Sequence, residues 1–438
     1  MNDAVKCFID FIAESPTAFH AVHTICFELE NAGFTRLAEH EAYHLVPGGK
    51  YYVTRNRSAV IAFTVPEDGF THFQIVASHS DSPTFKLKHT AEETVLSQFT
   101  RLNVERYGGM IMSTWLDRPL SIAGRVMVKT ADGIHTELVD LDRDAALIPN
   151  MPIHFNREVN DGYKFNAQVD MLPLFGDADA KGSLTAELAN LCCTHPDNIL
   201  AADLFLYPRT PGSVWGAKEE FFSAPRIDDL ECAFTSLHAF LASKPKGHIN
   251  VFAVMDNEEV GSGSKQGADS TFLTDTLERA AASLDVNGSA FRAMLSSSFM
   301  VSADNAHAVH PNHPEKYDAT NRCFMNGGVV IKHNANQKYT TDAVSCAIFE
   351  TICKRADVPV QHFANRSDIL GGSTLGNIAN AHASMNTVDI GLAQLAMHSS
   401  YETAGCTDVE YMMNALEAMY DTDIKTTADG NYVIEQSL

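Results

Sequence analysis

Five residues carry the side chains that a divalent metal accepts when thiolates are absent: His79, Asp228, Glu259, Asp304 and His398. Five ligands suit two metals better than one. If Asp228 bridges, His79 and Asp304 complete one site while Glu259 and His398 complete the other, leaving positions open for a shared water. Two dications against three carboxylates leave a net positive centre that lowers the pKa of bound water. Glu258, beside Glu259, is the natural general base, taking a proton from the attacking water and passing it to the leaving amine. Asp81, two residues after His79, is placed to orient that imidazole. Each residue alone has an ordinary structural role: His79 at a capped strand end, Asp228 as a helix N-cap, Glu258 and Glu259 as solvated surface, His398 as a hydrogen-bonded core histidine. Their joint placement is the argument for a centre.

That placement follows from the elements. Residues 73–78 have the apolar character of a buried strand and run directly into His79-Ser80-Asp81. Residues 249–255, 299–302 and 387–391 read as further strands, leading into Asp256-Asn257-Glu258-Glu259, into Asp304-Asn305 and towards His398. Residues 228–243 place Leu230, Ala233, Phe234, Leu237, Phe240 and Leu241 at helical spacing, with Asp228 or Asp229 suited to the N-cap. Helical patterns recur over residues 342–355, 373–383 and 406–420. Alternation of strand and helix predicts an α/β layer with a largely parallel sheet, whose ligands collect at the carboxyl ends of the strands. The stretch 91–224 differs, with short β-like runs and many turn residues, and is expected to be an inserted β-rich domain. The α/β catalytic domain is then expected to comprise residues 1–90 and 225–438.

The chain of 438 residues is long enough for two domains, each with its own core. A formal net charge of -23 repels nucleic acid and anionic membranes, so neither is expected as a partner. No apolar run is long enough to cross a bilayer, and the N-terminus lacks the zones of a secretory signal, so a cytoplasmic location is expected. Nine cysteines without a Cys-x-x-Cys pair fit reduced thiols better than a disulfide framework.

At the ligand residues the sequence resembles the aspartyl aminopeptidase family of metallopeptidases, the M18 family, over nearly its whole length. The segments that carry the resemblance include Ser78-His79-Ser80-Asp81-Ser82-Pro83, Ser113-Thr114-Trp115-Leu116, Arg226-Ile227-Asp228-Asp229, Asp256-Asn257-Glu258-Glu259-Val260-Gly261, Ser302-Ala303-Asp304-Asn305 and Gln394-Leu395-Ala396-Met397-His398. The resemblance implies a two-zinc aminopeptidase, with manganese or cobalt as alternatives, acting on peptide substrates with N-terminal Asp or Glu. It implies the same five ligands, with Asp228 bridging and Glu258 as base. It also implies that the inserted domain mediates dimerisation and that the chain assembles into a tetrahedral homododecamer. Lys332 matches the family's candidate cation for an acidic substrate side chain, with Tyr339 nearby in sequence. His154 matches a histidine that reaches into a neighbouring subunit's active site, and His310 and the Gly371-Gly372-Ser373 turn are expected to border the substrate pocket. Two local departures are Asp229 after Asp228, where many relatives carry Asn, and Ser400-Tyr401-Glu402 after His398.

Three other readings compete. The nearest is a two-metal aminopeptidase or amide hydrolase with a broader or neutral preference, against which Lys332 argues. A silent assembly or cargo protein is disfavoured because all five ligands and the base are present. A non-hydrolytic metal-binding module is disfavoured because structural zinc sites are closed, whereas this arrangement keeps open positions.

Overall fold

The computed structural model describes residues 3–436. Its centre is a nine-stranded sheet in which five of the eight neighbouring pairs are parallel. Across the sheet the strands run Thr35–Leu37, Lys50–Arg55, Ala59–Thr64, Gly247–Met255, Phe70–His79, Phe299–Ala303, Asn386–Gly391, Val329–His333 and Val360–Ala364. The expected α/β layer with a largely parallel sheet is therefore present.

Both faces of this sheet are covered, which is why its central strands are nearly continuously apolar. Ile249, Val251, Ala253 and Met255 enter one core, with Phe73, Ile75 and Ala77, beneath the helices Phe272–Ser283, Ser289–Ser296 and Leu375–His382. The alternate residues Phe252, Val254 and Val76 enter the other core, beneath Ala18–Asn31, Ile227–Ala242, Ala343–Arg355 and Cys406–Tyr420. The period of two along each strand thus divides one sheet between two cores.

The parallel register aligns the strand ends that matter. Met255 lies opposite His79, and Ser302 lies opposite Ala77, so Asp304 emerges level with His79. The helix Ile227–Ala242 begins at the same edge, but not as its sequence predicts. Arg226 is the residue preceding the helix, without a side-chain cap, and neither Asp228 nor Asp229 acts as N-cap. Both have non-helical backbone angles and are joined by a cis peptide bond. The Asp228 N–H donates instead to Glu402 Oε2 at 3.0 Å, and its carboxylate turns to the histidines at the strand ends.

A second, six-stranded sheet is antiparallel throughout and runs Ile134–Asp140, Leu120–Lys129, Ile199–Pro208, Thr84–Val95, Phe99–Tyr107 and Leu174–Asp177. It closes over its own core of Phe85, Leu102, Val104, Trp115, Ile122 and Leu206. Its first strand starts at Thr84, ahead of residue 91. Strands Ser213–Trp215 and Phe221–Ala224 do not join it; they belong to a third sheet with Glu402–Gly405, Ala393–Leu395 and Ala306–His307. The stretch up to residue 224 therefore returns to the main body before Asp228 is reached.

Helix Ile227–Ala242 is fixed to the sheet through an aromatic cluster. Phe240 stacks on Phe252 with ring centres 5.8 Å apart and also contacts Phe34 and Tyr420 at 5.4 and 5.6 Å. Phe240→Ala is expected to cost about 3–5 kcal/mol of stability, read as a lower urea midpoint; an unchanged midpoint would contradict this anchoring role.

Candidate metal centre

The five residues singled out by sequence converge at the carboxyl edge of the main sheet. One ligand atom each from His79, Asp228, Asp229 and Asp304 lies within 4.8 Å of the others, and the same holds for Asp228, Glu259 and His398. Asp228 is common to both groups. Its Oδ1 lies 3.7 Å from His79 Nε2 and its Oδ2 lies 3.3 Å from His398 Nε2, so the carboxylate presents one oxygen to each histidine. His398 Nε2 is also 3.4 Å from Glu259 Oε1. A third group, His79 with Glu258 and Glu259, sets the two glutamates against the same imidazole.

Each side chain is held by its element. His79 ends a buried strand, and its Nδ1 faces Asp81, 3.1 Å from the carbonyl and 3.3 Å from Oδ1, which leaves Nε2 directed at Asp228. The two Asp81 oxygens accept from the Glu258 and Glu259 N–H groups at 3.1 and 3.2 Å, and Tyr107 Oη donates to Oδ2 at 2.7 Å. Asp81 therefore ties His79 to the short 3-10 turn Glu258–Val260. Asp304 leaves strand Phe299–Ala303 beside Gly391, where an added Cβ would stand 1.9 Å from the Asp304 carbonyl oxygen. Only glycine admits that approach.

His398 sits in a left-handed conformation, with φ of 67°, on the loop between Ala393–Leu395 and Glu402–Gly405. Its N–H donates to Glu402 Oε1 at 2.7 Å, and Ile111 N–H donates to its carbonyl at 3.0 Å. Ser400 binds Thr114 through both its N–H and its hydroxyl, at 2.9 and 2.6 Å. The segment around Ser113-Thr114-Trp115 thus braces the His398 loop.

The electrostatics are those of a carboxylate surplus. Burial pushes Asp229 and Glu259 well above the ordinary range and raises Asp304, opposed by His79 at all three and by Lys332 at Asp304, and reinforced by nearby acids. Burial pushes Glu258 up to about 7, opposed by His79 and reinforced by Asp304, Asp81 and Asp228. Asp228 alone is held low: burial opposes its ionisation, but His398, His79 and Lys332 outweigh it. Buried Oδ1 atoms of Asp228 and Asp229 have no hydrogen-bond partner. Orphaned oxygens, crowded carboxylates and two imidazoles are a donor set that fits divalent cations, which supply the missing positive charge.

The other predicted residues divide. Lys332 is buried within strand Val329–His333, and its Nζ donates to the Asp304 carbonyl at 2.7 Å, with Asp304 Oδ1 3.7 Å away. Tyr339 packs beside it, its ring centre 5.3 Å from Nζ. His310 stacks near His313, 5.1 Å between centres, and accepts from the Asn312 N–H. His154 is exposed in the turn after residue 151 and makes none of the hydrogen bonds or ion pairs that bind the cluster together.

Two residues not among the expected ligands, Asp229 and Glu402, stand against the cluster. Asp229 Oδ2 accepts the His79 N–H at 3.0 Å, and its carboxylate lies among the first group. Glu402, pushed up to about 8 by burial and Asp228, accepts from both Asp228 and His398. Sequence reasoning missed Glu231, which is buried, raised to about 8 chiefly by burial, and bound by the Asn305 amide at 2.6 Å. Glu231 falls outside the apolar stripe of its helix, beside Thr235 and His238, so the spacing gives no local signal for its burial.

The family model described as aminopeptidase I zinc metalloprotease (M18) matches residues 11–420. Proteins of Clostridium novyi and Clostridium acetobutylicum, each described as a probable M18 family aminopeptidase 2, are 45% identical over 424 and 425 residues. These alignments cover 94% and 95% of this chain and 97% and 98% of the relatives. Among solved structures, a chain in the cryo-EM structure of the Ape4 and Nbr1 complex superposes with a TM-score of 0.92 at 36% identity, covering 95% of this chain and 85% of that one. The S. cerevisiae mApe1 dodecamer structure gives a TM-score of 0.85 at 26% identity, covering 96% of both chains. The chain belongs to the M18 family of metallo-aminopeptidases.

Proposed function

We propose that this M18 aminopeptidase removes single N-terminal residues, with preference for Asp and Glu, through a centre of two metal ions that share Asp228. The observation that carries the reading is the division of the cluster into two ligand groups with Asp228 in common. His79 and Asp304 would hold one ion, and Glu259 and His398 would hold the other. Zinc is the assigned metal, supported by the family description, and manganese or cobalt suits the same ligands. When bound, the two ions supply Lewis acidity that polarises the scissile carbonyl and acidifies the attacking water.

The chain's own groups do the remaining work. Glu258 takes the proton from that water and returns it to the leaving amine, a task suited to a buried carboxylate set beside the ligand cluster. Asp81 is a positioning residue: through Nδ1 it fixes the tautomer and direction of His79, and through two N–H groups it fixes the glutamate turn. Lys332 is assigned to the substrate's acidic side chain, with Tyr339 and His310 at the pocket. Its ammonium beside Asp304 brings a positive charge to a region otherwise rich in carboxylates.

Self-association into a homododecamer is inferred from the dodecameric structure that this fold resembles. The residues assigned to the contact, 91–224, include His154 with the exposed apolar neighbours Met151, Ile153 and Phe155, a surface suited to a second copy. None of the nine cysteines forms a disulfide, which fits a reducing cytoplasmic compartment.

Glu258→Gln is expected to retain bound metal while lowering turnover by about 10²–10⁴-fold; turnover equal to the wild type would remove Glu258 from the role of base. Asp81→Ala is expected to weaken metal affinity by about 10–100-fold, measured by competition with a chromophoric chelator. Aspartyl, glutamyl, leucyl and lysyl amides assayed side by side are expected to favour the first two, and equal rates across the set would leave an aminopeptidase without acidic preference.

A further inference from the structure

We propose that His72, His248 and Asp423 form a third divalent-metal site, structural in role, at the opposite end of the strands that build the active centre. His72 precedes His79 by seven residues on one extended strand, a span of about 23 Å at ~3.3 Å per residue. The site is independent of the active centre and does not rest on the reading given to it.

The two strands bring the histidines together. Gly247 pairs with Phe70 and Ile249 with Phe73, so the register shifts between them and His248 stands beside His72. Their ring centres are 5.4 Å apart and the planes differ by 30°. Asp423 arrives from the C-terminal strand Thr422–Ala428. Gly247, at φ of +79°, makes room for it, because an added Cβ would stand 2.9 Å from Asp423 Oδ2.

All three side chains are buried, and one ligand atom from each lies within 4.8 Å of the others. His72 Nε2, His248 Nδ1 and Asp423 Oδ1 have no hydrogen-bond partner. His72 Nε2 is 3.7 Å from Asp423 Oδ1, beyond hydrogen-bond range. The opposite atom of each group is engaged. His248 Nε2 is 2.8 Å from the Tyr420 carbonyl, His72 Nδ1 is 3.0 Å from Thr71 Oγ1, and Asp423 Oδ2 pairs with Lys425 at 3.1 Å. Metal-binding histidines are characteristically oriented in this way, with the second ring nitrogen held by a carbonyl or hydroxyl and the first left with a free lone pair.

Two neutral imidazoles and one carboxylate select a borderline transition metal, zinc before calcium or magnesium. Bound there, zinc would clamp the terminal hairpin Thr422–Ala428 and Asn431–Gln436 onto the amino ends of the two central strands. A buried water satisfying the same three atoms is the competing occupant.

The test is the zinc content of the full chain after reconstitution with zinc and desalting. Asp423→Asn and His72→Gln, each confirmed as folded by retained aminopeptidase turnover, are expected to hold one zinc per chain fewer than the wild type. Unchanged zinc content in both folded variants would overturn the site. Should these buried replacements impair folding, wild-type crystals grown with zinc give an independent reading. An anomalous peak at the zinc edge in contact with all three residues supports the site, and a feature there without anomalous signal is the water and overturns it.

Discussion

The arrangement depends on one constraint: several carboxylates are buried within a few ångströms of Asp228, and a protein interior tolerates them only with compensating positive charge. His79, His398 and Lys332 supply part of it. The rest is the reason the site suits dications. Much of the surrounding structure can be understood as support for this crowding. Asp81 and Glu402 hold proposed ligands or their neighbours by hydrogen bonds, and Asn305, next to Asp304, donates to the buried Glu231. The closeness of Gly391 to the Asp304 backbone shows how little room is left for variation.

The second sheet is coupled to the same edge. Tyr107, at the end of strand Phe99–Tyr107, donates to Asp81, and Thr114 grips Ser400 two residues beyond His398. The third sheet contributes Glu402 from a strand paired with Phe221–Ala224, the element that returns the chain towards Asp228. Three sheets therefore meet where charge is most concentrated.

Much of this was legible in the chain itself because it depends on local signals. Apolar runs ending in His79, Asp304 and the Glu258-Glu259 pair announce strand ends, and parallel pairing makes strand ends neighbours. The helix beginning near Asp228 is equally visible from the spacing of Leu230, Phe234, Leu237 and Phe240. Its N-cap is not legible there, because the N–H of Asp228 is satisfied by Glu402, 174 residues away in sequence, which no local pattern encodes. The start of the second sheet at Thr84 was hidden for a related reason: its strand continues the polar loop after His79 with only a short break. The cluster of His72, His248 and Asp423 depends on a register shift and a C-terminal hairpin, both invisible to periodicity.

The central claim is that Asp228 bridges two metal ions, and bridging can be read magnetically. Manganese suits the same imidazole and carboxylate ligands, and two such ions sharing a carboxylate are exchange-coupled. The electron paramagnetic resonance spectrum of the manganese-saturated protein is expected to contain the signal of a coupled pair, lost in Asp228→Ala. Only isolated mononuclear manganese signals at saturation would contradict the bridge.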